Sequence, residues 1–219
     1  MMMKQRILLL CFLLLWKFTL FAQVNKFPVK EWAAASQTPL ILYVSGDGGN
    51  DNFSIKLCAI INSSGYAITA LDARSYFWKQ KTAAQAATDF TNYLENKFQN
   101  KKEQPFILVG YSFGADILPF VINQLTDSLK EKLVSVILLS PSISTGLHIH
   151  KDNKIRSMDV LAEINKMNLI KTTIIFGSTE NTFPLKEISL KNYSNEILPG
   201  GHHYEGNVSA VAKVVMKHF

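Results

Sequence analysis

Short apolar runs alternate with amphipathic stretches along this chain from residue 39 onward. The runs are apolar on both faces, which is typical of strands in a covered parallel sheet, whereas the stretches between them have helical spacing. This alternation predicts one α/β domain with a mostly parallel sheet of about six strands and helices on both faces. Strands are predicted over 39–44, 66–71, 106–109, 134–139, 172–176 and 194–198, and helices over 53–64, 82–98, 113–129, 158–167 and 208–219.

Local signals set some of the predicted boundaries. Gly65 is placed to end the first helix, and Thr82 to cap the N-terminus of the second. Pro119 is expected to kink or fray the third helix because proline lacks the N–H group. Residues 143–156 show no clean periodicity, so the sequence predicts no element there.

The first 22 residues are predicted to be a signal peptide, cleaved near Ala22, so that the single domain spans 23–219. Lys4 and Arg6 precede a short apolar run, and a small residue ends it, as in exported proteins. The rival interpretation is an uncleaved membrane anchor. It is disfavoured because the apolar stretch holds Lys17 and is shorter than the roughly 20 residues that a spanning helix needs.

Composition and charge narrow the function classes. An apolar fraction of 47% and a charged fraction of 18% exclude a disordered tail. The net charge is +6, and it falls to +3 without the three basic residues of the leader, so no nucleic-acid partner is expected. The mature chain keeps only Cys58, which excludes an intrachain disulfide and is expected to be buried.

The first chemical motif is Gly110-Tyr-Ser112-Phe-Gly114, between a predicted strand and a predicted helix. A G-x-S-x-G sequence in this context forms a sharp turn that exposes the serine hydroxyl as a nucleophile. The N–H of Phe113 then lies at a helix N-terminus, where it faces an oxyanion formed at that hydroxyl. The alternative is a glycine-rich turn with an idle serine.

A glycine-rich loop, Ser45-Gly-Asp47-Gly48-Gly49, ends the first predicted strand. Hydrolases of this shape take a second oxyanion donor from such a loop, so the N–H groups of Asp47 and Gly48 are the candidates. No Lys-Ser/Thr follows the loop, which excludes a Walker phosphate loop, and the register of its carboxylates does not fit a calcium loop.

The base and the acid are expected near the ends of the last two strands. His202 and His203 follow a glycine pair, and His202 is favoured as the base without excluding His203. Glu180 follows the fifth predicted strand and is the preferred acid; Asp152, Asp159 and Glu187 remain alternatives. His148 and His150 form an H-x-H pair, but no third ligand accompanies them, so neither a metal nor another cofactor is expected.

Four segments together resemble the bacterial virulence VirJ/AcvB proteins over about residues 39–217: Tyr43–Gly49, Leu71–Trp78, Gly110–Phe120 and Pro199–Tyr204. The resemblance implies an exported α/β-hydrolase with serine, acid and histidine in place. Members are associated with type IV secretion, and AcvB-type members with hydrolysis of lysyl-phosphatidylglycerol. The chain looks like the hydrolase domain without the extra N-terminal region of longer members, and Glu180 stands where many hydrolases have aspartate.

Further residues match the family pattern and are candidates for substrate binding. Asp72 and Asp116, with Asp47, are expected to meet a cationic aminoacyl group; the alternative for Asp116 is a carboxylate that complements the helix dipole. Arg74 is a candidate phosphate ligand or an ordinary surface arginine. Trp78, in an aromatic run, lines a substrate pocket or belongs to the core.

The sequence therefore predicts a periplasmic or secreted serine hydrolase that cleaves a carboxylic ester, with the aminoacyl ester of lysyl-phosphatidylglycerol as the specific hypothesis. Its expected partners are this ester, a membrane phospholipid, and proteins of a secretion system. The alternative function is a non-catalytic periplasmic chaperone or adaptor on a hydrolase scaffold, because a fold does not fix a function. Thioesterase or peptidase chemistry would use the same residues.

Overall fold

The backbone is described over residues 27–34, 39–99, 103–149 and 157–219 in a computed structural model. The strands in these ranges are β1 (Val29–Trp32), β2 (Leu40–Val44), β3 (Ile68–Leu71), β4 (Phe106–Tyr111), β5 (Leu133–Leu139), β6 (Ser144–Thr145), β7 (Met158–Asp159), β8 (Thr172–Gly177) and β9 (Tyr193–Leu198). The helices are α1 (Asn52–Ser63), α2 (Ala73–Tyr76), α3 (Ala83–Phe98), α4 (Phe113–Ile122), α5 (Asp127–Lys132), α6 (Val160–Asn165) and α7 (Val208–Lys217).

Within the described ranges, one seven-stranded sheet has the order β1-β3-β2-β4-β5-β8-β9. Every neighbouring pair from β3 to β9 is parallel. Only β1 runs antiparallel, along the outer side of β3. The predicted fold class is confirmed, and each of the six predicted strands is present.

Helices cover both faces of this sheet because alternate strand residues point to opposite sides. Leu42 and Leu108 belong to a core that includes side chains of α3, α4 and α6. Ile41 and Val109 belong to a second core, beneath α1 and α7. Two apolar layers therefore hold the central strands, which explains why these strands lack the alternating polar residues of a half-exposed sheet.

Several boundary predictions are confirmed by hydrogen bonds. Thr82 accepts the N–H of Gln85, whose side chain accepts the N–H of Thr82 in return, which is a complete capping box. Gly65 follows the C-cap of α1 with φ of +96°, a conformation that glycine adopts without strain. Cys58 is fully buried in α1.

Other predictions were wrong. The helix predicted over 113–129 is two helices, because the chain turns after Ile122, and Thr126, the N-cap residue before α5, has extended backbone angles. The short helix α2 and strand β1 were missed, as were β6 and β7, which form a two-stranded ribbon. These elements are two to four residues long, too short for a periodic signal to appear in the sequence.

The predicted signal peptide lies outside the described residues, as does His150. Among the helices of the described ranges, none is long and apolar enough to span a lipid bilayer. The parallel strands all present their carboxyl ends at one edge of the sheet, and in open α/β sheets ligands bind at this edge. The loops after β2, β4, β5, β8 and β9 therefore meet there.

Candidate active site

Ser112 lies at the sharp turn that joins β4 to α4. Its backbone angles are φ 52° and ψ −118°, and a positive φ is uncommon for a residue other than glycine. Such strain persists where the surrounding structure holds it, and it is concentrated at functional sites. The predicted turn, with a half-exposed serine at its tip, is therefore present.

Gly110 and Gly114 allow strand and helix to approach each other at this turn. A Cβ atom on Gly110 would lie 2.6 Å from the carbonyl oxygen of Gly114. One on Gly114 would lie 2.7 Å from the carbonyl oxygen of Ser45, at the end of the neighbouring strand. Any side chain at either position would push the helix away from the sheet and move Ser112.

A continuous series of hydrogen bonds links Ser112, His202 and Glu180. The Oγ of Ser112 lies 2.8 Å from Nε2 of His202. On the other side of the ring, Nδ1 lies 2.9 Å from Oε1 of Glu180. The three side chains come from the ends of β4, β9 and β8, in the chain order serine, acid, histidine that α/β-hydrolases use.

The chemistry of the partners fixes the direction of these hydrogen bonds. An ionised carboxylate only accepts, so Nδ1 of His202 carries the proton that points at Glu180. In the neutral ring Nε2 is then unprotonated, and it accepts the hydroxyl hydrogen of Ser112. This tautomer has its lone pair in the position from which a base removes the serine proton.

Electrostatics favour the ionised form of the Glu180 carboxylate. Burial raises the pKa of Glu180, but hydrogen bonds from His202, Ser140 and the N–H of Gly177 outweigh it and keep that pKa below its usual value. The hydrogen bond to Glu180 raises the pKa of His202 against the effect of burial, and the negative charges of Asp116 and Asp47 add to this increase. The carboxylate is therefore ionised at neutral pH.

The alternatives to Glu180 lie elsewhere or have other partners. Asp159 caps α6 by accepting the N–H of Ala162. Glu187 is exposed in a 3₁₀ turn, and Asp152 lies outside the described residues. Of the four candidate carboxylates, the structure brings Glu180 to the imidazole.

His203 is hydrogen-bonded to Tyr111 and not to Ser112. Its Nδ1 lies 2.7 Å from the hydroxyl of Tyr111, which also donates to the carbonyl oxygen of His202 at 3.2 Å. The geometry thus distinguishes the two histidines, whose roles the sequence alone left open. His202 is hydrogen-bonded to Ser112, and His203 is hydrogen-bonded to Tyr111, the residue before Ser112.

The loop after β2 forms a tight turn beside Ser112. The N–H of Gly49 donates to the carbonyl of Gly46 at 3.0 Å, so Asp47 and Gly48 are the central residues of the turn. Both are exposed, and no hydrogen bond among the described residues uses their N–H groups. Gly46 lies against Ser112, since a Cβ on it would be 3.4 Å from that of the serine.

Phe113 completes this side of the site. It is the first residue of α4, so its N–H is among those that a helix leaves without an intrahelical acceptor. Its side chain is buried and packs edge-to-face on Phe77, with ring centroids 5.3 Å apart. The backbone at the helix N-terminus is thereby fixed next to the serine hydroxyl.

Two of the three carboxylates expected to meet a cationic group are engaged within the protein. Asp116 is only 2% exposed, and its Oδ1 accepts the N–H of Ser142 at 2.5 Å. Asp72 caps α2 by accepting the N–H of Ser75. Asp47 alone of the three has an exposed side chain at the mouth of the site, so the predicted arrangement of three is not present.

Arg74 and Trp78 lie on the segment after β3. Arg74 is exposed beside the turn of the loop, with its Cβ close to Gly49. Trp78 is 45% exposed, whereas its neighbours Tyr76 and Phe77 belong to the core. Trp78 borders a groove of about 830 Å³ that contains no side chain of the serine–histidine–glutamate series.

A second pocket, of about 460 Å³, opens directly beside His202 and Glu180. Its lining is mostly hydroxyl and amide groups, with few apolar side chains. The polar residues that line it are Ser140, Ser142, Ser144, Thr179, Asn181 and Thr182. A polar group fits this pocket better than a long alkyl chain does.

Two residues of the site were missed by sequence reasoning. Ser140 follows β5 and donates to Oε2 of Glu180 at 2.7 Å, and Tyr204 lies 2.7 Å from the same serine hydroxyl. The only sequence signals were a serine at the end of a strand and a tyrosine directly after the histidine pair.

In the described part of the chain, no three histidine, cysteine, aspartate or glutamate side chains are placed to hold an ion. His148 is half-buried, and its ring hydrogen-bonds to the carbonyl oxygen of Trp78 at 3.1 Å.

Comparison with known protein families identifies a family for this chain. The sequence model described as bacterial virulence protein (VirJ) matches residues 38–219. A search of curated protein sequences gave no match.

Solved structures similar to this chain are α/β-hydrolases. MenH from S. aureus superimposes with a TM-score of 0.62 at 12% identity, covering 87% of this chain and 97% of that one. Est1E from Butyrivibrio proteoclasticus, with ferulic acid bound, gives 0.59 at 14% identity, with 87% and 95% covered. Monoacylglycerol lipase from Paleococcus ferrophilus gives 0.56 at 12% identity, with 87% and 98% covered. At these identities the similarity establishes the fold.

Proposed function

Because the chain belongs to the bacterial virulence protein (VirJ) family and has the α/β-hydrolase fold, we propose that it is a serine hydrolase that cleaves carboxylic esters. One observation carries the proposal: His202 lies within hydrogen-bonding distance of both Ser112 and Glu180. A serine hydroxyl is a weak nucleophile at neutral pH and needs such a base to remove its proton.

In the proposed first step, Ser112 Oγ attacks the carbonyl carbon of the ester. Nε2 of His202 takes the hydroxyl proton as the new C–O bond forms, and Glu180 stabilises the resulting imidazolium. The tetrahedral intermediate then collapses, the bond to the alcohol breaks, and Nε2 returns the proton to the leaving oxygen. The products of this step are the free alcohol and an acyl-serine.

The negative oxygen of the intermediate is stabilised by backbone N–H groups. We assign this role to Phe113, at the N-terminus of α4, and to the turn of Asp47 and Gly48. The support is that these N–H groups have no partner in the turn and that Gly46 packs on Ser112. Donors fixed before the reaction need no reorganisation when the charge develops.

Water completes the cycle. His202 removes a proton from a water molecule that attacks the acyl-serine, and the same proton then returns to Ser112 as the acid leaves. The half-exposed position of Ser112 and His202 gives water access to the acyl group. Because the same residues serve both steps, loss of any one of them slows both.

For the substrate we propose the aminoacyl ester of lysyl-phosphatidylglycerol. The pocket beside His202 supports this assignment, because the histidine must reach the leaving oxygen and the alcohol released from this lipid has a hydroxylated headgroup. Asp47, exposed near the imidazole, provides a negative charge for the lysyl ammonium groups. Export to the periplasm or beyond, inferred from residues 1–22, would bring the enzyme to a membrane surface.

Labelling with a fluorophosphonate probe tests the reaction type. The wild-type protein is expected to be labelled at Ser112, and Ser112→Ala to remain unlabelled and to lose about 10⁴- to 10⁶-fold in ester hydrolysis. Ser54→Ala is the matched control, because Ser54 is a buried serine whose hydroxyl is hydrogen-bonded to Tyr43. Absence of labelling in the wild-type protein would favour the non-catalytic adaptor instead.

The substrate requires a separate measurement. Vesicles that contain lysyl-phosphatidylglycerol are incubated with the wild-type protein and with Ser112→Ala, and the released lysine is quantified. Release by the wild-type protein alone supports the assignment. If no lysine is released while simple esters are cleaved, the lipid substrate is wrong and the serine hydrolase assignment stands.

A further inference from the structure

Glu180 is held by a second hydrogen-bonded pair, whose role the sequence does not indicate. Ser140 and Tyr204 are both 1% exposed, and Ser140 binds the carboxylate oxygen of Glu180 that is not hydrogen-bonded to His202. The Oγ of Ser140 lies 2.7 Å from Oε2 of Glu180 and 2.7 Å from the hydroxyl of Tyr204. The series Tyr204–Ser140–Glu180 thus extends the one that ends at Ser112.

Each of the two hydroxyl groups has one hydrogen to donate, and this fixes the direction of the hydrogen bonds in the series. The ionised carboxylate of Glu180 only accepts, so Ser140 must donate to it. The single hydroxyl hydrogen of Tyr204 is then shared between Ser140 Oγ at 2.7 Å and the carbonyl oxygen of Ile175 at 3.1 Å. Because Ile175 already accepts the N–H of Ser140 at 2.8 Å, Ser140 Oγ is the better acceptor.

The backbone of both residues is in an unusual conformation. Ser140 has φ of +50° and Tyr204 has φ of +51°, angles that favour glycine or asparagine. Glycine would relieve the strain at residue 140 but would remove the hydroxyl. A strained serine, buried and donating to a carboxylate, indicates a side chain that is needed for its hydrogen bond.

We propose that Ser140 and Tyr204 are positioning residues that keep Glu180 ionised and aimed at His202. This proposal rests on the proposed function. The pair acts through the carboxylate and does not touch the reacting atoms. Hydrogen bonds to a charged acceptor are stronger than neutral ones, and a hydroxyl that itself accepts a hydrogen bond is a better donor.

The proposal predicts a specific change in pH dependence. Without the hydrogen bond from Ser140, the Glu180 carboxylate is less stabilised. This loss is greater when His202 is neutral than when an imidazolium compensates the negative charge of the carboxylate. The protonated form of His202 is thereby favoured, so the acid limb of activity moves to higher pH. Other titratable groups lie near this imidazole and stay unchanged: Asp47, Asp116, Tyr111 and His203.

The experiment compares Ser140→Ala and Tyr204→Phe with Ser54→Ala and Tyr43→Phe. The control pair is also a buried tyrosine–serine hydrogen bond, of 2.9 Å, and no hydrogen bond among the described residues joins it to Glu180. Hydrolysis of p-nitrophenyl acetate is measured from pH 5 to 9 and is normalised to the fraction of protein that a fluorophosphonate labels. This normalisation removes any loss of activity that comes from unfolded protein.

We expect Ser140→Ala to lower kcat about tenfold, with KM nearly unchanged, and to move the acid limb about half a pH unit upward. Tyr204→Phe is expected to shift both values in the same direction by less. Both controls should match the wild-type protein. A normalised kcat and acid limb in Ser140→Ala equal to those of Ser54→Ala would overturn the proposal.

A readout independent of turnover separates this proposal from the proposed function. The pKa of His202 is measured by NMR titration in the wild-type protein, with the signal assigned by loss in His202→Ala. An upward shift in Ser140→Ala supports the positioning role even if the protein hydrolyses no ester. An unchanged titration in Ser140→Ala refutes that role whatever the enzyme assays show.

Discussion

Tyr111 and His203, which are 92 residues apart in sequence, are joined by a hydrogen bond of 2.7 Å between the tyrosine hydroxyl and Nδ1 of the imidazole. Each is the neighbour of a residue in the reacting series, since Tyr111 precedes Ser112 and His203 follows His202. The bond therefore fixes the loop after β9 to the end of β4. One histidine faces the nucleophile while the next one anchors the loop.

This relationship predicts different consequences for the two histidines. His202→Ala removes the base and is expected to reduce kcat by about 10⁴- to 10⁶-fold. His203→Ala removes one hydrogen bond, and Tyr111 keeps its hydrogen bond to the carbonyl of His202, so kcat/KM is expected to stay within about tenfold of wild type. Steady-state hydrolysis of p-nitrophenyl acetate measures both. The reverse order of effects would make His203 the base.

The raised pKa of His202 predicts the shape of the pH profile. A general base must be neutral, so kcat/KM is expected to fall as the pH drops through the pKa of His202, at a midpoint above the ordinary histidine value of about 6.5. Replacing Glu180 with glutamine removes the main cause of the increase. Glu180→Gln should move this midpoint to lower pH and reduce kcat by about 10³- to 10⁴-fold.

Glu187→Gln is the matched control for that measurement, because Glu187 is an exposed glutamate in a 3₁₀ turn away from the imidazole. Its profile should equal that of the wild-type protein. An acid limb that does not move in Glu180→Gln would mean that a group other than His202 controls the rate.

The sequence was sufficient to predict the fold, because strong local signals in the strands and helices agree with one another. Buried strands such as β4 are continuous apolar runs, and Thr82 has both parts of a capping box. The split of the helix predicted over 113–129 was not visible, because its apolar spacing continues through the turn after Ile122. Only backbone angles at Thr126 reveal the second start.

The site was predictable where a residue type and its chain position constrain the chemistry, as at Ser112 and Glu180. The role of Asp116 was not, because its partner is a backbone N–H at Ser142, and backbone groups leave no mark in the sequence. Ser140 was missed for the related reason that its contact to Glu180 depends on how two strand ends meet.

Asp47 provides a test of recognition of a cationic acyl group. Asp47→Asn keeps the size of the side chain and removes its charge. KM for a lysine ester is expected to rise about three- to fivefold, in keeping with the weak energy of an exposed ion pair, and KM for p-nitrophenyl acetate should not change. Rates are measured at pH 9, well above the expected acid limb, because the charge of Asp47 also acts on His202.

Asp72→Asn is the control for this prediction, since that carboxylate caps α2 and is engaged by the N–H of Ser75. This variant should leave the KM for the lysine ester and the KM for p-nitrophenyl acetate unchanged. Added salt should reduce the difference between wild type and Asp47→Asn, because screening weakens exposed charges. Equal KM values for the lysine ester in both proteins would remove Asp47 from substrate recognition.

The packing at the nucleophile turn predicts the effect of a single methyl group. In Gly114→Ala the new Cβ would lie 2.7 Å from the carbonyl oxygen of Ser45, and the carbonyl of Val44 is still closer, so helix and strand must separate. Overpacking of this kind costs about 1–3 kcal/mol or more of unfolding free energy. The shift should also displace Ser112 and slow its labelling by a fluorophosphonate.

Gly65→Ala is the control that separates this effect from backbone strain. Gly65 has φ of +96°, and no atom lies within 4 Å of the added methyl group. We therefore expect this variant to lose only the cost of a left-handed backbone, about 1–2 kcal/mol, and to be labelled at the wild-type rate. Urea unfolding and the kinetics of fluorophosphonate labelling are measured for both variants. A Gly114→Ala protein that is as stable and as reactive as wild type would show that the turn accommodates the added methyl group.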